Sequence, residues 1–505
     1  MKNIIGVRRT AALAAIGLGL SGCVSAEQTA LYSATEPGFQ TVKAGAATAL
    51  RGQQTVWVQS EQQAQQVNKL VKAFVDRKTL NADTAVQVAL YNNKGLQAAY
   101  ADLGLSAAEA WQQTMLQNPV LTVGMVGIGA PELGIYRAIE GVIAANILAL
   151  ATQKKRVDVA DVRFRQAQFT ALLESLRLAA ETRRSWITAV SALENVQYLE
   201  KAQVAANAAA ELGRKLGETG ALPKAEQARE QAFYAELTGQ LAEAKLQARL
   251  AREQLTRLMG LWGKDIEYKL PQRLPALPDK LQASPGIETA ALKNRVDLKI
   301  ARLELDALAK SYKLTDATRY VTDLGLAAGV ELEREIETEY ELEDGKIEEK
   351  TSKNTLATPL IELDYAIPIF DSGKARLRKA ELAYMQAANR LAEKAVNIRS
   401  EARSAYTAYR ATYDIAQHYQ KSVVPLRTEI EKESLLTYNG MITNTFELLA
   451  DSRSKVNALL MASNAKREFW LAEANLSTTI NGGGGQPGSG GGAGPAVADA
   501  GGSPH

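Results

Sequence analysis

The chain of 505 residues has one cysteine and two histidines. Cys23 has no partner, so no internal disulfide can form. His418 falls in a long helical stretch and His505 in the C-terminal tail. Metal sites built on clustered His and Cys are therefore excluded. Met115, Met125, Met259, Met385, Met441 and Met461 are scattered and read as packing residues rather than as a copper relay. No glycine-rich loop is followed by Lys-Ser/Thr or by a helix, so no phosphate cradle is expected. With no catalytic constellation in view, the chain reads as a non-enzyme with no cofactor beyond an expected N-terminal lipid. Aromatic residues make up only 6% of the chain, and net charge is +3. That balance gives no electrostatic case for nucleic acid. After Cys23 no run of about 18 apolar residues occurs. Ala138 to Leu150 comes nearest, interrupted by Glu140 and Asn146. Any membrane crossing must use strands in a closed barrel.

What is present begins with an export signal. Lys2, Arg8 and Arg9 precede a short apolar stretch from Thr10 to Leu20. Leu20-Ser21-Gly22-Cys23 then resembles a lipoprotein cleavage box, with Cys23 as the lipidated first residue and Val24 implying sorting to the outer membrane. An ordinary signal peptide with an incidental cysteine is the alternative. Residues 24–60 are rich in Ala, Gly, Thr and Gln and read as a tether. Residues 482–505 are rich in Gly, Ser, Pro and Ala and read as a disordered tail.

Between them lies an internal repeat. AVQVALYNNKGLQAA from Ala85 aligns with ETAALKNRVDLKIA from Glu288, matching Ala89 with Ala291, Leu90 with Leu292, Asn92 with Asn294, and Leu96 with Leu298. Apolar residues recur at helical spacing in both copies, and Ser284-Pro285 is a start signal for the second. The division expected is a signal peptide over 1–22, a lipid-anchored tether over 23–78, repeats over 79–280 and 281–481, and the tail over 482–505.

Each starting helix gives way to strand-like sequence. Asn118-Pro119 stops the first, and VLTVGMVGIG follows. In the second copy Leu324, Leu326, Ala328, Val330 and Leu332 alternate with Asp323, Gly325, Ala327, Gly329 and Glu331. In LIELDYAIPIF, Ile361, Leu363, Tyr365 and Ile367 alternate with Glu362, Asp364 and Ala366. One apolar and one small or polar face suits a strand between lipid and an aqueous lumen. A soluble half-buried sheet would show the same alternation. Long helical stretches follow each strand pair, about Leu148 to Leu216 returning to Met259, and about Gly373 to Tyr438 returning to Leu476. Pro425 is expected to kink the second. Helices of 60 to 70 residues would be roughly 100 Å long.

The whole span from about Thr79 to Asn481 resembles the outer membrane efflux protein (TolC-like) family. The matching segments are YAIPIFDSGKARLRKAELA from Tyr365, GALPKAEQAREQ from Gly220, YNGMITNTFELLADSR from Tyr438, and RLMGL near the end of the first repeat. In its turns the family commonly places Gly, then Ser three residues on, then an acid three further. Here those places hold Gly220, Pro223 and Glu226, and then Met441, Asn444 and Glu447, with the second glycine displaced to Gly440. The serine is absent from both. Gly supplies unusual backbone angles, Pro223 or Asn444 can start the returning helix, and an acid in the first turn suits the helix dipole. The resemblance implies an α-plus-membrane-β fold. Three chains would share a 12-stranded outer-membrane barrel, four strands each, continued into a periplasmic helical barrel. It implies a homotrimer in outer-membrane lipid, a periplasmic adaptor touching the tip turns (Gly220, Pro223, Gly440, Asn444), and an inner-membrane pump supplying energy. Glu447 matches an acidic site near the pore constriction; a second acid of some members is Ala450 here, with Asp451 beside it. The expected function is a passive gated exit duct for efflux or type I secretion, lipid-anchored in the outer membrane. A periplasmic lipoprotein coiled-coil scaffold without a pore is the alternative.

One feature lies outside the resemblance. Glu331, Glu333, Glu335, Glu337, Glu339, Glu341 and Glu343 occupy alternate positions, so a strand would carry all seven on one face. Residues 331–350 hold ten acids against Arg334, Lys346 and Lys350, and Asp344-Gly345 is a hairpin signal. The hairpin is either a solvated external loop or an extension of the barrel strands whose acidic face lines the exit.

Overall fold

The computed structural model describes residues 26–76, 78–128, 136–220, 222–281, 286–343, 346–440 and 445–482. The signal peptide, Cys23, Ser284-Pro285, Asp344-Gly345, Asn444 and nearly all of the tail lie outside them. Among the described residues five helices come first: α1 (Ala26–Tyr32), α2 (Phe39–Ala49), α3 (Glu61–Val75), α4 (Ala82–Asn92) and α5 (Lys94–Thr114). Strands β1 (Val120–Val126) and β2 (Ala138–Asn146) lead into α6 (Ile147–Glu218), and α7 (Lys224–Leu258) returns. The order then runs again: α8 (Ile287–Asn294), α9 (Val296–Ala317), β3 (Leu324–Glu343), β4 (Lys346–Tyr365), α10 (Lys374–His418), α11 (Val424–Asn439) and α12 (Thr445–Asn481). α6 has 72 residues, about 108 Å at 1.5 Å per residue. No helix among the described residues is long and apolar enough to cross a membrane.

The chain divides into two units. The first comprises residues 1–38, 102–168 and 300–392 and contains the sheet. Its four strands are ordered β1-β2-β3-β4, all antiparallel. All four strand–helix junctions fall at one end of the sheet, and the two hairpin connections at the other. Gly329 is needed where β2 and β3 approach, because a Cβ there would lie 2.5 Å from the Gly141 carbonyl oxygen. Gly373 has φ +71°, and a Cβ on it would meet the Arg319 carbonyl oxygen at 2.7 Å. Below the sheet, the Gln153 amide donates to the Thr114 carbonyl (2.8 Å), tying α6 to α5. Tyr32 of α1 packs edge-on against Phe164 at 5.3 Å and donates to Asp161 at 3.0 Å.

The second unit comprises residues 39–101, 169–299 and 393–505. α4 and α8 break before α5 and α9 in the same way. The N–H of Asn93 donates to Ala89, and that of Arg295 to Ala291, the residues aligned between the two sequence copies. Asn92 donates to the Met259 and Gly260 carbonyls (3.2 and 2.6 Å), and Gly260, at φ +65°, passes so close that a Cβ would meet the Asn92 carbonyl oxygen at 2.8 Å. That contact accounts for the glycine of RLMGL. Val196, Leu199, Ala202 and Ala206 of α6 form one core with Leu237 and Leu241 of α7. Tyr409, Tyr413 and Ala416 of α10 form another with Phe469 of α12.

Two stretches carry structural detail beyond what the sequence suggests. The stretch read as a tether contains α1, α2 and α3. Phe39, Val42 and Ala46 of α2 are buried, with Phe39 set against Trp57 (5.7 Å) and Tyr100 (4.8 Å). In α3, Val67, Val71 and Val75 are buried at four-residue spacing, and Ser60 caps its start. Average composition hides such a stripe. Pro425 is preceded by a π-helical turn, Tyr419–Val423, and sits in the first turn of α11. The widened turn accommodates a ring that has no N–H and would crowd the carbonyl of residue 421.

Candidate functional site

The strand register separates two faces, because residues directly opposite in an antiparallel ladder share a face. One face carries Leu121, Val123 and Met125 of β1, opposite Ile143, Gly141 and Ile139 of β2. It continues through Leu326, Val330 and Leu332 of β3 to Ile361, Leu363 and Tyr365 of β4. Most of these side chains are exposed, Ile361 at 79% and Leu121 at 66%. An uninterrupted exposed apolar sheet face requires lipid or protein cover. The other face carries Thr122, Gly124, Val142, Ala144, Gly325, Ala327 and Gly329, with Glu140 opposite Glu331 and with Glu362 and Asp364 on β4. It is a small-residue face lined with carboxylates.

The acidic series lies in one strand, as expected. Across from Glu331, Glu333, Glu335 and Glu337 stand Thr358, Leu356, Asn354 and Ser352; Glu339, Glu341 and Glu343 occupy register positions opposite Lys350, Glu348 and Lys346. The pairing with β2 ends at Glu333. There Arg137 bonds Glu333 (3.0 Å), and Arg334 lies 4.2 Å over the Tyr136 ring. Beyond that point β3 and β4 continue as a two-stranded ribbon. β1 and β4 form the two outer edges of the sheet, and free edges invite further strand pairing.

The tip turns differ from each other. Gly220 has φ +75°, with no atom near an added Cβ. Pro223 occupies the N-cap of α7, at the start of the returning helix, and Glu226 lies in the first turn. Gly440 has φ −79°, so the unusual backbone expected of it is not used there. α12 begins at Thr445 with Glu447 exposed in its first turn. Asp451 accepts a hydrogen bond from the Ser434 hydroxyl, and Lys455 pairs with Glu431, so both carboxylates tie α12 to α11. Cys23 and Asn444 lie outside the described residues.

Sequence reasoning missed two buried carboxylates that sense charges of the second helical hairpin. Glu194 of α6 is 3% exposed at its side chain; it pairs with Lys466 of α12 (3.2 Å) and accepts the Leu274 N–H (3.1 Å). Glu230 of α7 is also buried, with one carboxylate oxygen lacking a hydrogen-bond partner. Burial pushes its pKa up, the Arg453 charge opposes this, and Glu226 adds to it. Arg453 in turn lies 3.9 Å over the Phe233 ring. Among so many surface Glu and Lys residues, nothing in the local sequence marks these. A third cluster anchors the α8–α9 break. Arg295, almost wholly buried, holds Asp297 through two bonds (2.9 and 2.8 Å) and also pairs with Glu401 of α10. Burial alone would raise the Asp297 pKa, but Arg295 and Lys394 outweigh it and hold it below the usual carboxylate range. No group of three or more His, Cys, Asp or Glu is placed to hold a metal ion among the described residues.

A long helical scaffold carrying a four-stranded sheet with one exposed apolar face is the fold of outer-membrane efflux channels. The chain is similar to the Campylobacter jejuni CmeC outer membrane channel, with TM-score 0.64 and 19% identity over 82% of this chain and 87% of that one. It is also similar to VceC from Vibrio cholerae (TM-score 0.61, 15% identity, 80% and 97% covered). The open state of the Neisseria gonorrhoeae MtrE channel matches at TM-score 0.57 and 17% identity, covering 79% and 88%. No family model matches the sequence, and no curated protein matches it.

Proposed function

We propose that the chain is the outer-membrane exit duct of a tripartite efflux or type I secretion system and belongs to the TolC-like family that it resembles. The observation carrying this reading is the sheet. It has two free edges, an exposed apolar face, and an opposite face of small residues and carboxylates. In water such a sheet would aggregate through its edges and its apolar face. In a bilayer, every backbone group must be paired, so the edges must close. Three copies joined β4 to β1 close a 12-stranded barrel with lipid outside and the acidic face inside. The nine-residue apolar part of β3, Leu324 to Leu332, spans about 30 Å along the strand, and the usual tilt brings this near the ~25 Å apolar band of such barrels.

The helical hairpins then form the periplasmic conduit. The turns at Gly220–Pro223 and Gly440–Asn444 present its tip to an adaptor. Three copies of Glu447 near the constriction favour cations. The acidic face of the β3–β4 ribbon lines the exit, and acylated Cys23 anchors the mature chain. Transport energy comes from an inner-membrane pump. Reconstitution tests the duct: an SDS-resistant, heat-modifiable trimer giving stepwise conductance in a planar bilayer is expected. A non-conducting elongated monomer after delipidation would instead establish the scaffold. Labelled palmitate should enter the wild-type protein and not Cys23→Ser; equal labelling of both would remove the lipid anchor.

A further inference from the structure

At the junction of β4 with α10, two tyrosines and a set of cations meet at the end of the sheet where the helices begin. Tyr365 belongs to the apolar face and donates through its hydroxyl to the Tyr320 carbonyl at 3.3 Å. The Arg319 guanidinium lies 5.0 Å over the Tyr320 ring, and its Nε donates to the Ser372 carbonyl at 3.2 Å. Arg376 reaches the Arg319 carbonyl at 3.5 Å. Lys379, one turn on from Arg376, shares its helix face. Beside them Ile367, Ile369 and Phe370 are exposed, Phe370 completely.

The charge arrangement opposes the local field. α10 opens with Lys374, Arg376, Arg378 and Lys379 in six residues, and its first turn contains no acid. A helix N-terminus favours anions and disfavours cations. Asp371 pairs with Arg376 (3.6 Å) and Glu381 with Arg378 (2.7 Å), whereas Lys374 and Lys379 make no ion pair among the described residues. The cluster therefore presents uncompensated positive charge beside an exposed apolar rim, at the sheet end where the helices begin. An anion attached to an apolar chain is complementary to both.

We propose that Arg319, Arg376 and Lys379 bind the phosphate of an anionic phospholipid headgroup in the leaflet on the helix side of the membrane, with the acyl chains lying along Leu363, Tyr365 and Phe370. The inference rests on the sheet being embedded in a bilayer. Tyrosines at the headgroup level and cations just beyond them are the usual interfacial anchors of membrane proteins, and each cation near an anionic surface contributes about a fivefold gain in binding at low salt.

The test uses the full chain purified in detergent, with native mass spectrometry under titration by phosphatidylglycerol or by phosphatidylcholine of the same acyl chains. The wild type should retain phosphatidylglycerol with at least tenfold preference. Arg319→Gln/Arg376→Gln/Lys379→Gln should lose that preference by tenfold or more. Because Arg319 also holds the Ser372 carbonyl, the double variant Arg376→Gln/Lys379→Gln is run beside it, and should lose at least fivefold. Lys154→Gln/Lys155→Gln, two cations removed from α6 instead, should keep the wild-type preference. An unchanged preference in the double variant overturns the site, as does equal displacement of the lipid by millimolar inorganic phosphate. Conductance of the wild-type chain in a phosphatidylcholine bilayer is measured in parallel. Conductance without headgroup preference overturns this site alone, whereas no conductance in any lipid overturns the duct reading.

Discussion

Replacing Glu331, Glu333, Glu335, Glu337, Glu339, Glu341 and Glu343 by glutamine should lower the cation selectivity of the channel, by an amount that depends on salt in a calculable way. Alternate residues of a strand stand about 6.8 Å apart. The Debye length is about 10 Å in 0.1 M salt and about 3 Å in 1 M salt. At 0.1 M each carboxylate is felt by the next, and the series acts as one continuous acidic wall. At 1 M the charges are screened from one another. Cations oppose three of the seven, Arg137 at Glu333 and Lys350 and Lys346 at the register positions across from Glu339 and Glu343, while Thr358, Asn354, Ser352 and Glu348 stand across from the other four. Under a tenfold KCl gradient between 0.01 and 0.1 M, the wild type should approach the roughly 59 mV of an ideally cation-selective pore. The glutamine variant should fall short of the wild type by 20 mV or more, and the difference should shrink severalfold between 0.1 and 1 M. Glutamine is nearly isosteric, so pairing and trimer yield should be preserved. A reversal potential equal to that of wild type at 0.1 M would refute the reasoning and leave the hairpin as a solvated loop.

Three further outcomes follow from the packing. Arg295→Met should destabilise the α8–α9 break by about 3–5 kcal/mol, since Asp297 would be left buried without its main partner; faster amide exchange confined to residues 287–300 is the readout, and unchanged exchange would exclude the network as an anchor. Because the Asp297 pKa is depressed in the fold, this contribution should be complete above the unfolded carboxylate value of about 3.9 and be lost as pH falls through the lower folded value. Gly220→Ala should cost about 1 kcal/mol through its positive φ, whereas Gly440→Ala should be nearly neutral; equal shifts in the thermal melting of the two variants would contradict the turn geometries. Gly329→Val should block barrel assembly, seen as loss of the SDS-resistant trimer, because its side chain would meet the Gly141 carbonyl.

Much of the scaffold was legible because it rests on periodicity. The limits of α6 and α7 fall within two residues of the expected ones, and the strand alternation assigned Leu326, Val330, Ile361 and Leu363 to one face. These features repeat over many residues, so each position reinforces the next. Single-contact features were not legible. Glu194 and Glu230 look like any other helix-surface acid, and their burial depends on partners more than 200 positions away in sequence, Lys466 and Arg453. Gly440 and Gly220 have the same residue type in equivalent turns but opposite signs of φ. The α2 and α3 helices were concealed by the Ala-, Gly-, Thr- and Gln-rich composition of the stretch around them, although Val67, Val71 and Val75 are evenly spaced.

The π turn at Tyr419–Val423 also sets the phase of the second long helix. One additional residue in a turn rotates everything beyond it by about 100° relative to an uninterrupted α-helix. The tyrosine seam of α10, which packs on Phe469, lies before this turn, and the Glu431–Ser434 seam of α11, which meets Lys455 and Asp451, lies beyond it. Shortening the turn by a single residue would rotate the second seam by about 100° against the first, away from the partners that both now have on α12. At this point in the chain, length is more tightly constrained than residue identity.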